Sequence, residues 1–409
     1  MLGGRIIGEG EDGCVSTGPV WPCASGSSTQ KQSIDPMDPR YVSKIVSKTD
    51  KEDEYILAAN RILGPELSAV YLVQLKESCA PANSFNPPSG LESPAYKVSK
   101  ESLIAWTKKN EACDSLKQDM VQGKSIASKH KLMYISKYPM TLDEWASGLS
   151  VTGIPLQAVY AAIPPFIHIL QKLFQGKEQL INLDLHAGNI FVRAQGKQVQ
   201  FGLADFGRCL LRQPVSGSGP LFFGKYLCEN TAVYELYASY NQIPLEARFL
   251  NFCYMKRLEH LPPGEFIRSW LSDPRVIEHQ KTDVLLYDHA KVMEQLRMKP
   301  IFIAMIETIQ SISRKLRASP TPIPLVQGLT PDEKTVLDYM ITRYAIISPI
   351  NIIGSICLLA HADTTQFIAF VKRATMAPYL QTGSSLAAAF SSIQRADMGI
   401  VWSDVVNGR

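Results

Sequence analysis

The chain has 409 residues, 45% apolar and 20% charged, with 26 Gly and 26 Pro. This ordinary globular composition excludes a disordered chain, a collagen-like repeat and a disulfide mini-scaffold, and the length fits two or three lobes. Lys+Arg number 42 against 38 Asp+Glu, and a net +4 without a basic stripe excludes nucleic acid as an expected partner.

Eight cysteines (14, 23, 79, 113, 209, 228, 253 and 357) include no C-x-x-C pair, so no zinc site is expected and they read as reduced intracellular thiols. Met1-Leu2-Gly3-Gly4-Arg5 lacks the apolar core of a signal peptide and the glycine of a myristoylation signal. The most apolar stretch, Tyr344 to Ala360, carries Ser348, Pro349, Asn351 and Ser355. It reads as a buried core helix, so no stable membrane insertion is expected.

Arg5-Ile6-Ile7 predicts a strand, Gly8 to Gly13 a glycine-rich turn, and Cys14-Val15-Ser16 a second strand. Residues 24–39 are a loop rich in Ser, Gln, Asp and Pro. Tyr41 to Val46 alternates like a strand. Thr49-Asp50-Lys51-Glu52 has the form of a capping box opening a helix through about Leu63. Val70 to Leu75 reads as a strand, and residues 77–130 as a polar insertion carrying one or two helices. Lys131 to Lys137 reads as another strand. Beyond Pro139 the pattern turns helical: a short element over Thr141 to Gly148, then a long one over Pro155 to Gly176 despite Pro164 and Pro165. Leu180 to Leu210 alternates short strands and turns. Residues 212–224 are rich in Gly, Ser and Pro, and helices follow to about 395. A small β-rich lobe therefore precedes a larger α-rich one.

Four signals carry chemistry, in a fixed order. The first is Gly8-x-Gly10-x-x-Gly13-x-Val15 between two strands. Glycines so spaced let a hairpin lie over phosphates with its N–H groups pointing at them. A dinucleotide-binding reading fits poorly, because no βαβ unit follows. The second is Lys44, alone among β-formers. It reads as an edge lysine in solvent, or as an ammonium on nucleotide phosphates held by a helix carboxylate. The third is Asp184-Leu185-His186-Ala187-Gly188-Asn189 on a loop entering a strand. An acid and an amide five residues apart suit a catalytic base and a Mg2+ ligand. The fourth is Asp205-Phe206-Gly207 at a strand end, 21 residues after Asp184.

The ordered set resembles the eukaryotic-type protein kinase superfamily over about residues 3–210, and the remainder only loosely. Its closest likeness is to the divergent serine/threonine kinases of nucleocytoplasmic large DNA viruses. The residues carrying that likeness are Gly8-Glu9-Gly10-Glu11-Asp12-Gly13-Cys14-Val15, Pro22-Cys23, Val42-Ser43-Lys44 and Pro244-Leu245-Glu246. The resemblance implies an α+β, bilobal protein-kinase-like fold. Its small β-rich N-lobe would span residues 1–138. A larger α-helical C-lobe would span 139–395 with an insertion at about 247–345, before a tail at 396–409. It implies ATP and Mg2+ as cofactors, a protein substrate as partner, and an intracellular location in host cytoplasm or virion. Gly8, Glu9, Gly10 and Gly13 would belong to the loop over the ATP phosphates, and Val15 would pack on the adenine. Lys44 would bind the α/β-phosphates. Asp184 would orient and deprotonate the acceptor hydroxyl, with His186 beside it, and Asn189 and Asp205 would hold Mg2+.

Two carboxylates compete for Lys44. Helix geometry favours Glu52, which shares a face with Tyr55, Ile56, Ala59 and Leu63. The family-like spacing favours Glu54, and the short connection left by Glu52 tilts the expectation to Glu54.

This sequence departs from the kinase pattern. Asn182-Leu183 stands where His-Arg precedes the catalytic Asp, His186 stands where a Lys is usual, and no Ala-Pro-Glu follows at the usual distance. Alongside a serine/threonine kinase, two alternatives therefore stand: a pseudokinase-type scaffold, and a small-molecule kinase of the aminoglycoside or choline type. The string Asp184 to Asn189 is similar to the latter.

Overall fold

The computed structural model describes residues 6–10, 13–17, 21, 23–24, 38–82, 125–142, 144–145, 156–175, 178–182, 184–196, 198–207, 209–212, 245–277, 289–318, 328–337, 339–340, 379 and 385–391. The chain is mixed α and β and divides into two compact units. The first comprises residues 1–139 with 202–207, the second 140–201 with 208–409.

The first unit is built on a five-stranded antiparallel sheet: β1 (Ile6–Gly10), β2 (Gly13–Thr17), β3 (Tyr41–Ser47), β4 (Leu75–Cys79) and β5 (His130–Ser136). Their order is β1-β2-β3-β5-β4, which puts β3 at the centre. Residues 42–46 are accordingly all buried, the mark of a strand covered on both faces. The glycine-rich segment differs from the turn expected over 8–13. Gly8 pairs with Val15 and Gly10 with Gly13, so two residues connect the strands and the glycines lie within them. Glycine permits a turn without requiring one, and here hairpin pairing prevails. Gly13 is needed for close approach. A Cβ there would lie 2.7 Å from Val46 Cγ1, 3.0 Å from the Ile45 carbonyl and 3.2 Å from Lys44 Cε.

Helix α1 (Glu52–Leu63) buries Glu52, Ile56, Ala58, Ala59 and Leu63. The expected capping box does not form. Thr49 Oγ1 lies 3.1 Å from Ser47 Oγ instead, and Asp50 Oδ1 accepts from the Glu52 amide at 2.6 Å. Asp50 thereby satisfies a first-turn N–H that has no intrahelical partner. Val70 and Tyr71 are helical, in α2 (Pro65–Tyr71), rather than in the strand predicted there. Gly64 ends α1, and Pro65 with Glu66 restarts a helix, as proline at N1 favours. The strand follows as β4, so 77–79 belong to the sheet rather than to an insertion; the short helix α3 (Ile126–Lys129) occupies the far end of that stretch.

The thiols are not all reduced. Cys23 and Cys79 form a disulfide of 2.04 Å. Their separation of 56 residues hid this, because proximity comes from the sheet: Cys23 bridges to Pro81, and the Ala24 amide donates to the Ala80 carbonyl at 2.8 Å. Trp21, Cys23 and Ala24 thus lie beside the residues that follow β4. The Trp21 indole N–H donates to the Ala82 carbonyl at 2.8 Å, and the Tyr134 hydroxyl donates to the Trp21 carbonyl. Cys14 is also disulfide-bonded, whereas Cys209 and Cys253 are buried thiols outside any disulfide.

In the second unit, α4 (Leu156–Gln175) contains Pro164 and Pro165 and buries Ala162, Ile163, Phe166, Ile167, Ile169 and Leu173, the 3–4 spacing of one helical face. β6 (Met140–Thr141), β8 (Ile190–Gln195) and β9 (Gln198–Leu203) form a three-stranded sheet; β7 (Gln179–Asn182) pairs with β10 (Cys209–Arg212). Phe201 meets Trp145 and Phe166 edge-on, each at 6.1 Å. The main core lies among α5 (Leu245–Lys256), α6 (Pro263–Ser272), α7 (His289–Leu296) and α8 (Pro300–Ala318). Phe249 packs against Trp270 at 4.8 Å and Phe266 at 5.4 Å. The residues expected as an insertion over 247–345 therefore carry most of this core. Among the described residues no helix is long and apolar enough to cross a membrane. The apolar segment 344–360, the serines at 216–218 and the tail lie outside the described residues.

Two predictions follow from this packing. Gly13→Ala forces β3 to shift and costs about 1–3 kcal/mol, whereas Gly264→Ala, with open space at its Cβ, is neutral or slightly stabilising; chemical denaturation reads both signs. Peptide mapping without reductant recovers Cys23 linked to Cys79, and Cys79→Ser lowers stability by about 2–4 kcal/mol under oxidising conditions.

Candidate active site

Lys44 occupies the middle of the central strand, opposite Val15 on β2 and Met133 on β5, and is 3% exposed. The edge-lysine reading is thereby excluded. An ammonium placed there must be compensated. Its Nζ lies 2.7 Å from Glu52 Oε2 and 3.1 Å from Asp205 Oδ1. Glu52 is fully buried, and its other oxygen accepts from the Phe206 amide at 3.2 Å. Residues 202–207 are tied into this unit by a parallel bridge between Leu72 and Leu203 and by the Val73 amide donating to the Leu203 carbonyl at 3.1 Å. Asp205 adopts a left-handed backbone (φ 54°), rare for a residue other than glycine, and its Oδ1 accepts from the Gly207 amide at 3.1 Å.

The carboxylate that meets Lys44 is Glu52, and the tilt toward Glu54 is corrected. Glu54 is exposed, 3.8 Å from Lys51. A hydrogen-bonded turn, the Asp50 amide donating to the Ser47 carbonyl at 3.0 Å, passes from β3 to α1 quickly enough for Glu52 to be the first helical residue. The face argument of Ile56, Ala59 and Leu63 therefore decides the matter.

Burial opposes the charge on Lys44, but Asp205 and Glu52 outweigh it, and the ammonium is held above the ordinary lysine range. Burial pushes Glu52 up, Lys44 pulls it back, and the Asp205 charge adds to the rise. A buried ion pair of this kind is a poor stabiliser compared with apolar packing. Its presence in the central strand points to function.

Gly8, Glu9 and Gly10 lie in β1, and Gly13 and Val15 in β2, with Gly13 beside the Lys44 stem.

In the second unit, β7 leads into a loop closed by a 3₁₀ turn at Ala187–Asn189. Asn182 Oδ1 accepts from the Asp184 amide at 2.8 Å. Asn189 is 7% exposed, and its Nδ2 donates to the Asp184 carbonyl at 2.8 Å and lies 3.4 Å from Asp184 Oδ2. The amide oxygen of Asn189 is thereby turned away from Asp184. His186 Nδ1 accepts from the Gly188 amide at 3.1 Å, which assigns the proton of a neutral imidazole to Nε2. Nε2 stands 3.9 Å from Asp184 Oδ2. Asn182, set down in the sequence as a departure, orders the loop by accepting at the Asp184 amide. An Asx-type residue two positions before an acid was the available signal.

Among the described residues no group of three or more His, Cys, Asp or Glu is placed to hold a metal ion. Asp205 in the first unit and Asn189 in the second each carry a hard oxygen of the chemical type that Mg2+ takes. Glu246, of the Pro244-Leu245-Glu246 string, is fully buried at the start of α5 and accepts from the Tyr379 hydroxyl.

No protein-family model and no curated protein matches the chain. Among solved structures, the chain is similar to WaaP in complex with acyl carrier protein, at 10% identity and a TM-score of 0.27, covering 77% of this chain and 89% of that one. A likeness of this degree carries no argument about function.

Removing the ammonium exposes the cost of the buried acids. Lys44→Met leaves Glu52 with burial and Asp205, both raising its pKa. A folded-state pKa above the unfolded value of 4.5 means that stability is highest below that pH and falls as pH rises toward the folded value. Lys44→Met is expected to lose about 3–5 kcal/mol near pH 8. Adding Glu52→Gln restores most of that and flattens the difference between pH 5 and 8. Parallel denaturation series on the single and double variants check this.

Proposed function

We propose that this chain is a phosphotransferase of the protein-kinase type, moving the γ-phosphate of Mg-ATP to Ser or Thr hydroxyls of protein substrates. The observation that carries the reading is the buried Lys44 ammonium held by Glu52 and Asp205 beside a glycine-bearing hairpin. Phosphoryl transfer needs positioned charge more than covalent chemistry. Lys44, fixed in the central strand, would neutralise nucleotide phosphates without first paying a reorganisation penalty. Gly8, Gly10 and Gly13 let the hairpin backbone approach those phosphates, and Val15 offers an apolar contact to the base. Asp184, its loop ordered by Asn182 and Asn189, accepts the proton of the acceptor hydroxyl. Asp205 and the amide oxygen of Asn189 would hold Mg2+, which neutralises charge on the phosphates.

His186 supports a second reading. Its Nδ1 accepts from the Gly188 amide, so Nε2 carries a proton where protein kinases place a lysine. The string Asp184 to Asn189 is similar to that of small-molecule kinases, so an amino-sugar or amino-alcohol acceptor is the alternative. A scaffold without transfer activity fits less well, because Lys44 is held by two carboxylates, Glu52 and Asp205, more than its burial alone requires. The likeness to kinases of large DNA viruses belongs to this proposal, with location in host cytoplasm or virion. Of the two, the Cys23–Cys79 disulfide favours the virion, where disulfides persist.

The test is Mg-ATP turnover on generic protein substrates beside a panel of amino-sugars and amino-alcohols. Asp184→Asn and Asp205→Asn are expected to abolish transfer with little change in thermal midpoint. Asn keeps the acceptor that receives the Gly207 amide, and neither change opens a cavity. Activity of either variant within about tenfold of wild type would defeat the kinase reading. The acceptor that turns over decides between protein and small molecule.

A further inference from the structure

The helix that carries Glu52 is held at its first turn by a second, separate ion pair. Lys131, near the start of β5, sends its Nζ to Asp53 Oδ1 at 2.5 Å and to the Asp50 carbonyl at 2.6 Å. The other carboxylate oxygen of Asp53 accepts from Ser78 Oγ on β4 at 2.8 Å. Asp53 and Lys131 side chains are each 17% exposed, partly shielded from water and so less screened than a surface pair. One lysine thus grips the turn before α1 and the second residue of α1, while the adjoining strand holds the same carboxylate. Between these two anchors sits Glu52, whose amide is bound by Asp50 Oδ1 at 2.6 Å.

We infer that Asp53 and Lys131 form a clamp that positions Glu52 against Lys44, fixing α1 in its productive placement from the sheet side. The inference rests on the phosphotransferase reading for its consequence in catalysis, and on the contacts alone for its structural part. Asp53 and Lys131 are positioning residues and touch no reacting atom. They act through Glu52, because a rotation or slide of the first turn of α1 moves Asp53 and Glu52 together. Asp53 faces β4 and β5 while its neighbour faces Lys44, the roughly 100° step between consecutive helical positions. The clamp is charge-assisted at both ends of the turn, so the placement of Glu52 requires neither nucleotide nor a modified loop.

The experiment begins with the full-length protein free of nucleotide. Hydrogen exchange of the α1 amides is measured in wild type, Lys131→Met, Asp53→Asn and Lys131→Arg, with the interior amides of β3 and β5 as the folding reference. Exchange in the first turns of α1 is expected to accelerate about tenfold or more in Lys131→Met and Asp53→Asn, to stay near wild type in Lys131→Arg, and to leave the reference unchanged. In the same proteins kcat with Mg-ATP falls on the order of tenfold, KM for ATP moves much less, and Lys131→Arg retains turnover. Unchanged α1 exchange in both charge-removing variants overturns the clamp, as does a kcat loss that Lys131→Arg fails to rescue. Asp53→Asn is the milder probe, keeping the shape and the Ser78 hydrogen bond. Uniform acceleration through β3 and β5 even there would make the pair a general structural bond and also overturn the assignment. If α1 exchange accelerates as expected while wild type shows no Mg-ATP-dependent transfer to any acceptor, the clamp stands and the kinase reading falls.

Discussion

A lysine ammonium buried in the central strand of a sheet organises the first unit. Lys44 cannot occupy that position unpaired, so the chain must bring carboxylates to it from elsewhere. One comes from the first residue of α1 and the other from Asp205, 161 residues beyond Lys44. Meeting this demand dictates a tight connection from β3 to α1, a glycine at 13 to admit the lysine stem, and a left-handed backbone at Asp205. The bridge from Leu72 to Leu203 brings the distant segment alongside the sheet. None of these features is favourable on local grounds. Together they place a fixed positive charge with carboxylate oxygens at 2.7 and 3.1 Å.

The same demand explains the connection between β3 and α1. A helix whose first residue is a buried carboxyl group has a free amide and a costly side chain at one point. Asp50 meets the first need and Lys44 the second. Asp53, one residue further, ties the turn to β5 and β4. Acidic residues in a first helical turn are ordinarily read as complements to the helix dipole. Here Glu52, Asp53 and Glu54 have three fates: the ammonium of Lys44, a clamp to the sheet, and solvent.

Periodicity and residue type carried β3, β5, α1 and α4, because a buried strand centre and an amphipathic helix each leave a pattern. The ordered glycine, lysine and acid signals located the residues of both clusters. Other features were hidden by contacts distant in sequence. Val70 and Tyr71 looked like strand until Gly64-Pro65 restarted a helix, a boundary effect that apolar content does not reveal. The pairing of Cys23 with Cys79 depends on the β4 edge, and the clamp on Lys131 facing Asp53 across 78 residues. The choice between Glu52 and Glu54 was legible in the helical face. It was obscured by reasoning about how much chain is needed to leave a strand, a length that the Ser47–Asp50 turn makes very short.

The charges of the first unit's cluster constrain what it can receive. Lys44, Glu52 and Asp205 sum to one negative charge when all are ionised, and Glu52 is fully buried behind Lys44. A polyanion approaching the cluster is attracted by an ammonium already matched to one carboxylate and repelled by the other, which is a third exposed. At separations of 3–4 Å in a partly dry site such terms amount to several kcal/mol, so the repulsion cannot be ignored. Two arrangements relieve it: protonation of Asp205, or a divalent cation on its oxygens that turns the local balance positive. Asp205 Oδ1 faces the Lys44 ammonium and accepts from the Gly207 amide, contacts that suit the second arrangement. On the proposed reading, the cluster takes phosphate together with a cation. That distinguishes it from a bare lysine pocket, and it gives Glu52 a purpose beyond compensation. By holding Lys44 firmly, Glu52 leaves Asp205, the more exposed of the two carboxylates, as the one a cation would reach on that reading.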